Sequence, residues 1–170
     1  MKIWLITLLF FCANTWSAST EFDVGGVKLG NKLSDLEKHF PKGFTCTSNE
    51  SDKNIEMCRL SSCSFSDPKC TLWGSKVLGF VRTAASMKDK KVVWIRAELD
   101  YLNATMNEVR KVLAELEKHY GKPSFCPVKA FLDDPEKKKL EIHCEWKNES
   151  EEVALTEDSL RLALKLKKAE

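Results

Sequence analysis

Hydrophobic and polar residues alternate along three stretches of the chain, at 93–101, 140–146 and 160–166. An alternation with a period of two predicts antiparallel strands that have one buried and one exposed face. Shorter strands are expected at 54–58, 71–73, 76–82 and 152–155. Sheet structure is therefore predicted over much of the chain.

A helical period appears at two other places. The better defined one has apolar residues spaced three and four apart: Met106, Val109, Val112, Leu113, Leu116 and Tyr120. Thr105 and Glu108 can form a capping box at its start, and Gly121 can end it. The other helix is shorter, with Leu33, Leu36 and Phe40 on its apolar face and Pro41 at its end. Helices that cover one face of an antiparallel sheet make a two-layer α+β fold.

The chain contains an internal repeat. Residues 36–46 and 116–126 are identical at six of eleven positions without a gap, and each block ends in a cysteine. A further cysteine follows 12 residues after the first block and 18 residues after the second. We therefore predict two tandem helix-then-antiparallel-sheet repeats, at 19–100 and 101–170.

The first residues have the pattern of a secretory signal peptide. Lys2 precedes an apolar run from Ile3 to Cys12, and mostly small or polar residues follow to Thr20. The run is too short for a stable membrane span. We assign 1–18 to the signal peptide and expect the mature chain to be periplasmic or secreted.

Six cysteines remain once Cys12 is removed: Cys46, Cys58, Cys63, Cys70, Cys126 and Cys144. An even number in an exported chain predicts three disulfides. Equivalent positions in two repeats should form equivalent bonds, which pairs Cys46 with Cys58 and Cys126 with Cys144 and leaves Cys63 with Cys70. No C-x-x-C pair or matching histidine spacing favours zinc, so we predict no metal and no cofactor.

Charge and motifs narrow the functional classes. The net charge is only +2, and acidic and basic residues are mixed along the chain. This distribution does not indicate a nucleic-acid partner. The nucleophile elbow, zinc-protease, P-loop and dinucleotide-binding motifs are missing from the sequence, so we predict that the protein is not an enzyme.

Two features favour recognition of another protein. Trp94 shares a predicted exposed strand face with the charged residues Arg96, Glu98 and Asp100. A large aromatic residue among charges is a candidate interface anchor. The disulfide-closed loop between Cys63 and Cys70 would present Phe65 and Asp67 in a preorganised form.

The arrangement of a helix, a cysteine, strands and a second cysteine, found twice, resembles the secreted β-lactamase-inhibitor protein family. The matching residues are Gly30 before the first helix and the pairs Cys46/Cys58 and Cys126/Cys144. The resemblance implies one continuous saddle-shaped sheet, and a hairpin loop near Cys63 that enters a target enzyme. The added pair Cys63 and Cys70 departs from that family.

The functional expectation is an exported protein-binding module, either an inhibitor or an immunity protein that acts on an envelope or secreted enzyme or toxin. The same outline also fits small envelope proteins related to the outer-membrane assembly lipoproteins. A structural or assembly factor of the cell envelope is therefore the alternative. The sequence assigns no oligomeric state.

Overall fold

A computed structural model describes residues 21–40, 43–60, 63, 67, 69–130, 140–158 and 161–169. The predicted signal peptide, the helix-ending Pro41 and the candidate binding residue Phe65 lie outside these ranges.

Over these residues the fold consists of two α-helices and an antiparallel sheet, and it is mostly β-structure. The helices are α1 (Leu33–His39) and α2 (Met106–Tyr120). The strands are β1 (Thr45–Ser48), β2 (Ile55–Leu60), β3 (Phe80–Lys88), β4 (Lys91–Leu102), β5 (Val128–Ala130), β6 (Leu140–Lys147), β7 (Glu151–Asp158) and β8 (Arg161–Lys168). Seven of them form a continuous sheet in the order β1-β2-β3-β4-β8-β7-β6, and the short β5 extends it at the β6 edge.

The predicted capping signals of α2 are confirmed. The Thr105 hydroxyl accepts a hydrogen bond from the Glu108 N–H at 3.3 Å, and the Thr105 N–H donates to the Glu108 carboxylate at 2.7 Å. That backbone hydrogen bond lowers the pKa of Glu108 because it stabilises the charged carboxylate. Gly121 ends the helix with a φ of 77°, a left-handed conformation that glycine adopts without steric strain.

The core lies between the two helices and one face of the sheet. Val109, Val112 and Leu116 of α2 are fully buried, as is Leu36 of α1. They belong to one apolar cluster with sheet residues from both halves of the chain, including Ile95, Leu99, Leu155 and Leu164. The predicted two-layer packing therefore holds, with both helices packed on the same face of the sheet.

The long alternating stretches are strands, as predicted, but two shorter assignments were wrong. Residues 72–74 form a 3₁₀ turn in place of the strand predicted at 71–73. Trp73 in this turn has a φ of 52°, and its indole N–H donates to Asp23 at 2.7 Å. This long-range contact outweighs the local preference for extended backbone. The strand predicted at 76–82 begins only at Phe80 and continues to Lys88.

Three disulfides join the pairs that the repeat predicted. Cys46 and Cys58 are directly opposed residues of β1 and β2. Cys126 precedes β5 and is bonded to Cys144 of β6. Cys63 and Cys70 close the remaining loop, which leads into β3. Each disulfide therefore connects residues close in sequence, and no disulfide between described residues links one half of the chain to the other.

Candidate protein-binding surface

The sheet face opposite the helices, here called the open face, carries the candidate site. No helix in the described part of the chain packs against it. Its central residues are Met57 and Arg59 of β2, Arg82, Ala84 and Ser86 of β3, Trp94, Arg96, Glu98 and Asp100 of β4, and Arg161, Ala163, Lys165 and Lys167 of β8. These side chains share one face because residues alternate in direction along each strand.

Trp94 lies on the open face, as the alternation predicts. It is half-buried and stands between Ser86 of β3 and Lys167 of β8 in the strand register. Next along the strand, the Arg96 guanidinium forms an ion pair with Glu98 at 3.1 Å. Asp100 lies 3.6 Å from Arg161 of β8. The predicted mixture of an aromatic ring and charges is therefore present on one surface.

A groove with a volume of about 680 Å³ runs beside Trp94 on this face. Its lining residues come from β1 to β4: Thr45, Met57, Arg59, Leu60, Arg82, Thr83, Ala84, Trp94, Arg96 and Glu98. In the register, Ala84 of β3 lies between Arg59 of β2 and Arg96 of β4. The groove forms at Ala84 because its methyl group fills little of the space between the two long arginine side chains.

The other half of the open face carries paired charged side chains. Lys147 forms ion pairs with Glu152 at 3.0 Å and with Glu145 at 3.6 Å, and Lys167 also reaches Glu152 at 3.8 Å. The hydrogen bond from Lys147 to Glu152 raises the pKa of that lysine. Ala163, on the same face, is completely buried. Long paired side chains therefore occupy part of this half of the open face.

His143 belongs to this charged half. It contacts Glu145, two residues along β6, and the hydrogen bond from its ring lowers the pKa of the Glu145 carboxyl. The side chain of His143 is about half exposed. This contact is a surface pair between neighbours on one strand.

Asp67 is half-buried inside the loop closed by Cys63 and Cys70. Its carboxylate accepts a hydrogen bond from the Lys69 N–H at 3.0 Å, and its carbonyl accepts one from the Cys70 N–H at 2.9 Å. The loop joins the start of β3, where Cys63 donates to the Val81 carbonyl at 2.8 Å. Ser86, the strand partner of Trp94, lies five residues beyond Val81, or about 17 Å at the usual strand rise. The loop and Trp94 are thus separate parts of the molecule.

Sequence reasoning missed three residues of the open face. Arg59 and Arg82 are exposed at the groove. Arg59 lies just beyond the strand predicted at 54–58, and Arg82 is the last residue of the strand predicted at 76–82, which in fact runs from Phe80 to Lys88. Phe125 is 57% exposed, and its ring lies 6.5 Å from that of His143. The sequence places Phe125 in the repeat, directly before Cys126, but this position does not show whether the side chain is buried or exposed.

Two other kinds of feature are absent from the described residues. No group of three or more histidine, cysteine or acidic side chains is placed there to hold a metal ion. Within the same ranges, no helix combines the length and apolarity needed to cross a bilayer.

Comparison of the chain with protein-family profiles, characterised proteins and solved structures gives no match.

Proposed function

We propose that the protein is an exported binding module, an inhibitor or immunity protein that uses its open face to hold an envelope or secreted enzyme or toxin. The observation that carries the proposal is the half-buried Trp94 at the edge of a groove, on a sheet face that no described helix covers. Tryptophan and arginine are the residues that most often dominate protein interfaces, and Arg59, Arg82 and Arg96 line the same groove.

The rigidity of the scaffold supports this function. The face is built from long paired strands, and two of the three disulfides hold strands at the outer parts of the sheet. A preorganised surface loses little conformational entropy when it binds, so more of the contact energy appears as affinity. Three disulfides are also consistent with an oxidising location such as the periplasm or the cell exterior.

We also infer that the chain arose by duplication of a unit now at 19–100 and 101–170. The support is the matched sequence blocks and the element order, since α1 and α2 each precede four strands. The resemblance to the β-lactamase-inhibitor protein family rests on the same outline. It favours an inhibitor over an assembly factor because a hairpin loop of that family enters a target enzyme.

Photo-crosslinking tests whether the open face meets a protein. A benzoylphenylalanine placed at Ser86, beside Trp94, should capture a single stoichiometric enzyme or toxin from the secreted or envelope fraction of the source cells. The matched control carries the same group at Lys111, an exposed residue of α2 on the helical side. Equal capture at both positions contradicts the proposal, and capture of a multi-protein assembly machine supports the assembly-factor alternative.

Trp94→Ala should weaken binding of the captured partner by about thirtyfold or more, because truncated aromatic anchors commonly lose about 2 kcal/mol. The melting temperature should change little, since the ring lies on the open face and outside the core. Isothermal titration calorimetry and thermal unfolding measure the two effects. Lys111→Ala removes an exposed side chain of α2 on the helical side and serves as the control. Parental affinity of the Trp94 variant would place the interface elsewhere.

A further inference from the structure

We propose that the groove beside Trp94 binds an extended acidic segment of the partner protein, with carboxylates of that segment held by Arg59 and Arg82. This inference rests on the proposed function, because it names the chemistry of the partner that the open face recognises. The shape of the groove, the pairing of its charges and the spacing of its two exposed arginines support it.

The shape of the groove follows from the strand register. Arg59 and Arg96 lie opposite Ala84 on its two sides, so three neighbouring strands present a long, a short and a long side chain. Adjacent strands are about 4.8 Å apart, which places the two arginine Cα atoms about 10 Å from each other. The space above the half-buried Ala84 is therefore wide enough for a single extended chain.

The charges at the groove are unevenly paired. The Arg96 side chain is bound to Glu98, but the guanidinium groups of Arg59 and Arg82 form no hydrogen bond or ion pair with any described residue. Both are exposed. On the other half of the open face, Lys147 and Lys167 are paired with acidic residues. Guanidinium groups bind carboxylates through two parallel hydrogen bonds, so Arg59 and Arg82 are suited to an acidic partner.

The spacing of these arginines favours a peptide segment over a small anion. Arg59 lies opposite Ala84, and Arg82 lies two residues before Ala84 on β3. Such diagonal neighbours are about 7–8 Å apart. Side chains on one side of an extended segment repeat at about 7 Å, so two acidic residues at alternate positions match the two arginines. Small-ligand sites, in contrast, are enclosed pockets that bury most of the ligand.

Trp94 completes the match at the other end of the groove. Its strand partner is Ser86, which lies four residues along β3 from Arg82. Trp94 and Arg82 are therefore on adjacent strands and separated by most of the groove length. An aromatic or apolar side chain of the bound segment can lie on the indole ring while the acidic residues reach the arginines. The surface therefore selects for an acidic segment that also contains an aromatic residue.

The test uses a short synthetic peptide labelled with fluorescein, in which two glutamates at alternate positions and a tyrosine four residues further along share one side of the extended chain. Binding to the disulfide-bonded protein is measured by fluorescence anisotropy. The glutamate peptide should bind, and its affinity should fall as salt rises. Replacement of its glutamates by glutamine should weaken binding by about tenfold or more. The Arg59→Gln/Arg82→Gln variant should lose a similar factor, while Arg59→Lys/Arg82→Lys, which retains charge without the planar fork, should fall between.

Arg110→Gln is the matched control, because Arg110 is an exposed arginine on α2, away from the open face. It should bind as the parent does. Equal binding of the glutamate and glutamine peptides, full binding by the double glutamine variant, or no binding by the parent protein would each overturn the inference. The crosslink from Ser86 is independent of these results. If it still captures a protein when the arginine variants bind normally, only the acidic-segment inference fails.

Discussion

Trp146→Ala is expected to reduce the free energy of unfolding by about 3–5 kcal/mol, the usual loss for truncation of a buried aromatic side chain. Trp146 is only 2% exposed and lies on the core face of β6, next to Val153 of β7. The melting temperature should fall by roughly 10 °C, since 1 kcal/mol corresponds to about 2–4 °C for a domain of this size.

The size of this effect follows from two interactions that the indole makes at the end of α2. Its N–H donates to the Gly121 carbonyl at 2.8 Å. Its ring centroid lies 5.6 Å from that of Tyr120, which in turn packs edge-on against Phe22 at the same distance. Burial raises the pKa of Tyr120 well above its usual value. Removal of the indole would therefore leave a cavity and an unpaired carbonyl where the helix meets the sheet.

Trp94→Ala is the matched comparison because it removes the same side chain from the opposite face. Thermal unfolding followed by circular dichroism should show a large fall for Trp146→Ala and a small one for Trp94→Ala. Similar melting temperatures for the parent and the Trp146 variant would mean that the indole is not part of the core. A large fall for the Trp94 variant would mean that its ring supports the fold.

The second large effect concerns the bond between Cys126 and Cys144. Replacement of both cysteines by alanine should reduce the free energy of unfolding by about 3 kcal/mol, since the unfolded chain is no longer closed into a loop. The two cysteines are 18 residues apart in the chain. Cys63 and Cys70 are only 7 residues apart, so their replacement should cost less by the same argument. Urea unfolding of both variants measures the difference.

Peptide mapping without reduction provides the direct control for this comparison. Fragments that contain Cys46 with Cys58, Cys63 with Cys70, and Cys126 with Cys144 should be recovered as linked pairs. A bond between the two halves, such as one from Cys58 to Cys126, would contradict both the structure and the repeat-based pairing. Equal losses of stability for the long and short loops would contradict the loop-length argument alone.

Local patterns were sufficient for several parts of this protein. The capping residues Thr105 and Glu108 and the terminating Gly121 act through backbone groups within one turn, so α2 could be located from sequence. The alternation at 93–101 predicted β4 and the side on which Trp94 lies, since direction along a strand depends only on a period of two. The disulfide pairs followed from the internal repeat, which needs no knowledge of the fold.

Tertiary structure alone decided the parts that depend on distant residues. The turn at Trp73 replaces a predicted strand because its indole N–H finds Asp23, 50 residues away in the chain. The groove exists because register sets Ala84 between Arg59 and Arg96, which come from three different strands. Strand partners and register are determined by packing across the whole sheet. For this reason the sequence by itself determined the two helices, the long strands, the disulfides and the face of Trp94. Only the assembled sheet brought the exposed arginines into the groove that Trp94 also lines.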